Sequence, residues 1–333
     1  MSADEYVLSG RETADLRATL AELGTDGISP IEPDFYLKYR GCHELLPGGL
    51  RRFLADFRDD DRSTACVVSG FPIDDATVGP TPSHWERPEG LDSTVESDTF
   101  LAMCGSMLGE PFAWATLQYG RLVQDIFPIR GDERRESGHG SEAFLTFHTD
   151  DAFRADSPDY LLLFGIRNLD AVPTFVAAVG DVRLSAADRA VLSEERFHIL
   201  PDDEHIRQLE LRAPDDPALT SAVRMRDDPR PVSVLFGDPA NPRIRLDTPF
   251  MRCVGDDPRT ARALSALLAE LTRVRRPLVA ATGSLLILDN HSVVHARESF
   301  TARHDGTDRW LRKVIVSRWS TARTPEPIDR VRL

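Results

Sequence analysis

The 333-residue sequence predicts a mixed α+β fold: a double-stranded β-helix (jelly-roll) core with flanking helices. Three observations lead there. Short apolar runs of strand length crowd the second half, at 112–118, 121–128, 144–148, 160–166, 174–179, 231–236, 244–246, 283–288 and 310–317. Helical periodicity lies mainly before and between these runs, which argues against an alternating βαβ arrangement. No internal repeat, low-complexity tract or clear boundary marks a second domain. Residues 1–333 therefore read as one domain, with 1–110 a mainly helical support region and 111–333 the jelly-roll core.

Taken in order, residues 9–24 read as a helix because Ser9 can cap it and Leu16, Leu20 and Leu23 share a face. Residues 49–57 repeat the pattern with Leu50, Phe53, Leu54 and Phe57. The run 65–68 is the first buried strand, closed by Gly70 and Pro72. Residues 79–90, rich in proline and polar groups, form a loop, and 99–108 a third helix. The strands 112–118 and 121–128 meet at Tyr119-Gly120. Residues 131–142 (GDERRESGHGSE) then break all periodicity, either as a solvated loop or as a lid over a cavity. Helices at 185–192 and 259–273 lie among the later strands.

The net charge of −14, from 54 acidic and 40 basic residues, disfavours nucleic acid and anionic membrane as partners and favours a cationic or zwitterionic one. No apolar run is long enough to span a bilayer, and the polar N-terminus lacks the pattern of a signal peptide, so a cytoplasmic protein is expected. Cys42, Cys66, Cys104 and Cys253 have no paired spacing and read as reduced thiols. Nothing in the sequence reports an oligomeric state.

The chemistry concentrates at His148 and Asp150. Two positions apart on a strand, they project to one side. His295, after the apolar step Val293-Val294, adds a second imidazole. Two imidazoles and one carboxylate are the facial set that holds non-haem Fe(II) while leaving positions open for O2 and a co-substrate. Arg309 follows His295 by 14 residues (309 − 295) and opens the strand 310–317. It offers the planar, bidentate cation that the distal carboxylate of 2-oxoglutarate needs. Its other reading is a surface arginine paired with Asp305 or Asp308. His291, four residues before His295, is the competing histidine.

Five stretches then carry a resemblance: PFAWATLQYGRLVQDIFPIRG from Pro111, FHTDDAF from Phe147, PDYLLLFGIRN from Pro158, DNHSVVHARESF from Asp289 and HDGTDRWLRKVIVSR from His304. In these the chain resembles the clavaminate-synthase-like Fe(II)/2-oxoglutarate oxygenases, and within them the hydroxylases of free amino acids such as arginine. The resemblance implies His148, Asp150 and His295 as iron ligands, Arg309 as the 2-oxoglutarate anchor, and Thr174 as its second contact or an ordinary strand residue. It places Gln118 at the floor of a substrate pocket, reading substrate or supporting the wall.

The same comparison exposes departures. Leu117 stands where the arginine-type relatives carry glutamine. Asp247 keeps the first of two aspartates that grip a guanidinium, and Pro249 replaces the second. Asp247 is left to read an ammonium, an amide N–H or a ureido group, or to be a solvated turn residue. Lys313 stands in place of an arginine that meets the substrate carboxylate, and Asp150 in place of a more usual glutamate. A carboxylate at position 150 argues against halogenation, which needs that ligand removed. The resemblance implies Fe(II), 2-oxoglutarate and O2, with hydroxylation of an unactivated carbon in a free polar L-amino acid (arginine, citrulline, lysine or similar). The implied setting is specialised amino-acid or antibiotic metabolism. Desaturation, cyclisation or a carrier-tethered substrate would use the same iron chemistry. A non-catalytic jelly-roll binding protein would make the metal residues coincidental.

Overall fold

A computed structural model describes residues 3–24, 27–86, 92–319 and 330–333. Strand β1 (Asp4–Val7) leads into α1 (Gly10–Leu23), whose Ser9 and Glu12 form a reciprocal capping box. Then come α2 (Pro33–Lys38), α3 (Gly48–Asp59), β2 (Ala65–Ser69), α4 (Asp75–Val78) and α5 (Val95–Leu108). Helix α5 is apolar on most of its circumference and is buried accordingly. The chain continues through β3 (Glu110–Trp114), β4 (Gln124–Ile126), β5 (Leu145–His148), β6 (Tyr160–Arg167) and β7 (Thr174–Ala178). Next are α6 (Ala186–Leu192), β8 (Phe197–Ile199), α7 (Asp203–Glu210), α8 (Pro217–Asp227), β9 (Leu235–Asp238), β10 (Asn241–Ile244) and β11 (Met251–Cys253). Helix α9 (Pro258–Val274) precedes β12 (Arg276–Leu278), β13 (Leu285–Asp289), β14 (Val293–Arg297), β15 (Trp310–Ser317) and β16 (Val331–Arg332).

Two sheets result. The major one runs β1-β2-β13-β6-β15-β3-β16, with β4 also on β15, and the minor one runs β12-β7-β14-β5. Their inner faces share a core in which Leu161, Leu163, Leu286 and Leu311 of the major sheet join Val176 and Val293 of the minor. Outside the major sheet, α1, α3 and α5 bury Leu16, Leu50, Leu54 and Phe100 with Phe164 and Val314. Outside the minor sheet, Leu192 of α6 and Leu267 and Leu271 of α9 cluster with Ala177 and Val294. Each fully buried Leu or Phe contributes about 1.5–3 kcal/mol, so both sheets are held from two sides. This is the expected jelly roll flanked by helices.

Several boundaries moved. The expected strands 112–118 and 121–128 shrink to β3 and β4 because Gln118 and Tyr119 take left-handed φ values of 43° and 60° and break the ladder. The runs 231–236 and 244–246 slide into the β9–β10 hairpin. Helices α7 and α8 were not foreseen; their N-caps are Asp202 and Asp216, with Pro217 in the first turn of α8. The expected first strand forms as β2, which pairs antiparallel with β13 and carries β1 into the major sheet. The expected loop 79–90 is irregular where described, and 87–90 lie outside the described residues.

Candidate metal centre and pocket

The register of β5 and β14 sets His148 directly opposite His295, so two histidines 147 residues apart (295 − 148) share one face. Their ring centroids lie 4.1 Å apart. Asp150 sits just past the end of β5, where Asn290 clamps it. The Asp150 amide donates to Asn290 Oδ1 at 2.8 Å, and Asn290 Nδ2 donates to the carbonyls of Asp150 at 3.0 Å and Pro158 at 2.9 Å. Asp150 Oδ1 is 3.4 Å from His295 Nε2 and 3.8 Å from His148 Nε2. Among the described residues this is the one group of His, Cys, Asp or Glu placed to share an ion, with all ligand atoms within 4.8 Å.

The donor set fits a divalent iron. Ligand atoms on one ion stand roughly 3 Å apart at bond lengths of about 2.1 Å, close to the separations found here. His148 Nδ1 donates to the Thr146 carbonyl at 2.8 Å, which leaves Nε2 free to ligate. Burial and the neighbouring His148 push His295 down to about 3, so its imidazole is neutral, the form that binds metal. Burial works against the charged form of Asp150, but Lys313, His295 and His148 outweigh it and hold the carboxyl below the usual range.

The opposite wall comes from β15. Alternation along it sends Leu311, Lys313 and Ile315 inward and Trp310, Arg312 and Val314 outward. Lys313 is thus brought to the metal group, its Nζ 2.5 Å from Asp150 Oδ2. Arg312, on the other side, is locked to Asp98 of α5 and Asp125 of β4 in a fully buried ion network. Arg309 lines the pocket and is 8% exposed. Its neighbours do not neutralise it: Asp308 accepts from the amides of Arg303 and His304, and Asp305 accepts from Thr307. Burial and the charge of Arg297 push Arg309 down to about 9. Thr174, at the start of β7, lines the same pocket.

The pocket lining is also rich in carboxylates. Asp247 is buried there and bridges β5 opposite His148; burial, with Asp202, Asp150, Asp151 and Glu136, drives its carboxyl well above the usual range. Asp151 accepts from His205 Nε2 at 2.9 Å. Burial alone would lower His205, but Asp202 and Asp151 raise it. Gln118 is spent on the wall: its Nε2 donates to the Asp125 carbonyl at 2.8 Å and its Oε1 accepts from the Asp125 amide at 2.9 Å. Residues 136–139 of the expected lid line one side, and Asp202, Glu204 and Gln208, at and beyond the N-terminus of α7, line another. Pro249 also lines the pocket.

The structure therefore brings His148, Asp150, His295, Arg309, Thr174, Gln118, Asp247 and Lys313 to one pocket. His291 is elsewhere, its Nε2 3.6 Å from Asp159 and its ring against Phe236. Sequence reasoning missed Asn290, Arg297, Asp151 and Asp202. Arg297 carried a signal, two residues beyond His295 and so on its face. The acidic run around Asp202 reads locally as solvated surface.

Known proteins match this chain over most of its length. It is 36% identical over 321 residues, 93% of either chain, to the enduracididine beta-hydroxylase of Streptomyces hygroscopicus. It is 35% identical over 298 residues to the L-ornithine/L-arginine 3-hydroxylase of Catenulispora acidiphila, covering 86% of this chain and 87% of that one. Among solved structures, the non-heme iron oxygenase OrfP with Fe, succinate and (3S)-hydroxy-L-Arg superposes with a TM-score of 0.89 at 37% identity, over 95% of this chain and 94% of that one. OrfP with Fe and alpha-ketoglutaric acid gives 0.82 at 36% identity, over 94% of each chain. Residues 96–315 match the model of the taurine catabolism dioxygenase TauD, TfdA family, and with its jelly roll and its pair of histidines facing a carboxylate the chain belongs to that family of dioxygenases.

Proposed function

We propose that this protein is an Fe(II)- and 2-oxoglutarate-dependent hydroxylase of a free polar L-amino acid. The observation that carries the reading is the charge map of one pocket, whose lining joins a metal-binding triad, an uncompensated Arg309 and several carboxylates. His148, Asp150 and His295 hold the iron, and Arg309 with Thr174 holds the distal carboxylate of 2-oxoglutarate. When bound, iron with 2-oxoglutarate and O2 supplies the oxidising power to replace a C–H bond by C–OH. The chain's own task is to orient the amino acid and exclude water. Asp247 faces the substrate side chain as an acceptor of N–H groups, Gln118 stiffens the wall, and Lys313 stands between Asp150 and the substrate. The family relatives named above act on or bind basic amino acids and their hydroxylated forms, which supports the substrate class. The whole described chain acts as one domain, in the cytoplasm, with no nucleic-acid or membrane partner; the net charge of −14 supports the last point.

The test is succinate formation with Fe(II), ascorbate and 2-oxoglutarate, each candidate (arginine, ornithine, lysine, citrulline, homoarginine) added singly. Succinate formed in step with one hydroxylated amino acid bears the proposal out. Iron-dependent 2-oxoglutarate binding with no stimulation by any free amino acid would move the substrate to a tethered form. No 2-oxoglutarate binding at all would sink the enzyme reading.

A further inference from the structure

Two buried guanidinium groups face this pocket without a counter-ion. Arg297, the last residue of β14, is 3% exposed and Arg309 is 8% exposed, and both line the cavity. Among the described residues neither pairs with a carboxylate, and the Nε of each lacks any hydrogen-bond partner. Arg297 donates one weak bond, to the Ala143 carbonyl at 3.3 Å, and lies over the Phe300 ring at 5.0 Å. The charge of Arg297 acts on Arg309 across the same cavity. A buried cation without a partner is costly, and a second one beside it compounds the cost. Such a pair is tolerable where an anion completes it.

The sheet explains how the pair arises. β14 and β7 pair Ala296 with Phe175, which carries Arg297 toward Thr174 in the next step of the register. Arg297 also follows His295 by two residues, so both project to one face, about 6.8 Å apart along the strand. That is the scale of an extended five-carbon diacid. One strand thus carries a metal ligand and a cation at the two ends of a 2-oxoglutarate-sized span, while Arg309 enters from the facing sheet.

We propose that Arg297 is a second carboxylate-binding residue, which together with Arg309 and Thr174 grips the distal carboxylate of 2-oxoglutarate. The inference rests on the co-substrate reading above. Phe300 holds the guanidinium plane, and the arriving carboxylate supplies the counter-charge to the pair.

The experiment compares two keto acids on protein loaded anaerobically with Fe(II): 2-oxoglutarate, and 2-oxopentanoate, which has the same metal-chelating head but a methyl group in place of the distal carboxylate. Dissociation constants are read by titration, without turnover. Wild-type protein should prefer 2-oxoglutarate. Arg297→Gln should weaken 2-oxoglutarate roughly tenfold to a hundredfold, the range for a charged hydrogen bond, and leave 2-oxopentanoate unchanged. An equal loss for both acids, or no loss, overturns the assignment. If Arg297→Gln does not fold, Arg297→Lys carries the test, since it keeps the charge and loses the fork; a selective loss for 2-oxoglutarate is again expected, and no selective loss again overturns it. Arg309→Gln separates the two readings. Wild type that does not distinguish the acids defeats the co-substrate reading, whereas selectivity lost in Arg309→Gln but kept in Arg297→Gln defeats only the role of Arg297.

Discussion

Lys313 Nζ lies 2.5 Å from Asp150 Oδ2, while Asp150 Oδ1 faces both histidines. The lysine occupies the carboxylate oxygen that a metal would leave free and keeps the other one turned toward the metal position. Replacing it by Met removes a charged hydrogen bond, a loss of about 1.5–3 kcal/mol in orientation. Lys313→Met should therefore retain iron-dependent 2-oxoglutarate binding but lose at least about tenfold in kcat/KM for the amino acid. The ratio of hydroxylated product to succinate should fall. Unchanged coupling would show that Lys313 does not orient Asp150.

The same contact predicts an asymmetry among ligand variants. Asp150→Ala strands the buried Lys313 ammonium, so it should destabilise the metal-free protein by about 3 kcal/mol, and Lys313→Met in the same chain should restore most of that. His148→Ala leaves the Lys313–Asp150 pair in place and should cost much less in the metal-free melt, while abolishing iron-dependent 2-oxoglutarate binding. Denaturant melts of the three variants check the order.

Behind β15, Arg312 is fully buried between Asp98 and Asp125, and they outweigh burial to raise its pKa. Removing one partner leaves a charge without water or counter-ion. Asp98→Ala should cost about 3–5 kcal/mol in unfolding free energy, with no selective effect on either keto acid. A loss under about 1 kcal/mol would mean that the network is worth no more than a surface pair.

His139 is buried, and burial pushes its pKa below the ordinary value although its Nδ1 donates to the Phe127 carbonyl at 3.1 Å. The unfolded chain takes up this proton near pH 6.5 and the folded one only at lower pH. The stability is thus complete above about pH 6.5 and is lost as pH falls toward the folded value. His139→Gln, which keeps an N–H donor, should shrink the drop in melting temperature between about pH 7.5 and about pH 5.5. An identical drop in both proteins would assign it to other groups.

Pro249 lines the pocket, two residues from the buried Asp247. Pro249→Asp restores a second acceptor for a guanidinium. It should lower KM for arginine relative to citrulline by about tenfold, the worth of one charged hydrogen bond. Competition between the two amino acids in one reaction reads the ratio directly.

The sequence by itself determined what is local. The spacing of His148 and Asp150, the cap at Ser9, and the strand 310–317 follow from period and propensity within a few residues, and each reappears in the structure. His295 was legible because it follows an apolar step, and Arg309 because it precedes a strand. What only the tertiary structure decided is pairing across sheets. Whether Arg309 was neutralised by Asp308, whether Lys313 met Asp150, and whether Gln118 was free or spent on Asp125 depend on which groups lie within about 3 Å once strands are in register. Charge compensation is a property of neighbours in space. Two arginines twelve residues apart (309 − 297) look ordinary in the sequence, and become an anion site only when both are buried together and no carboxylate arrives with them.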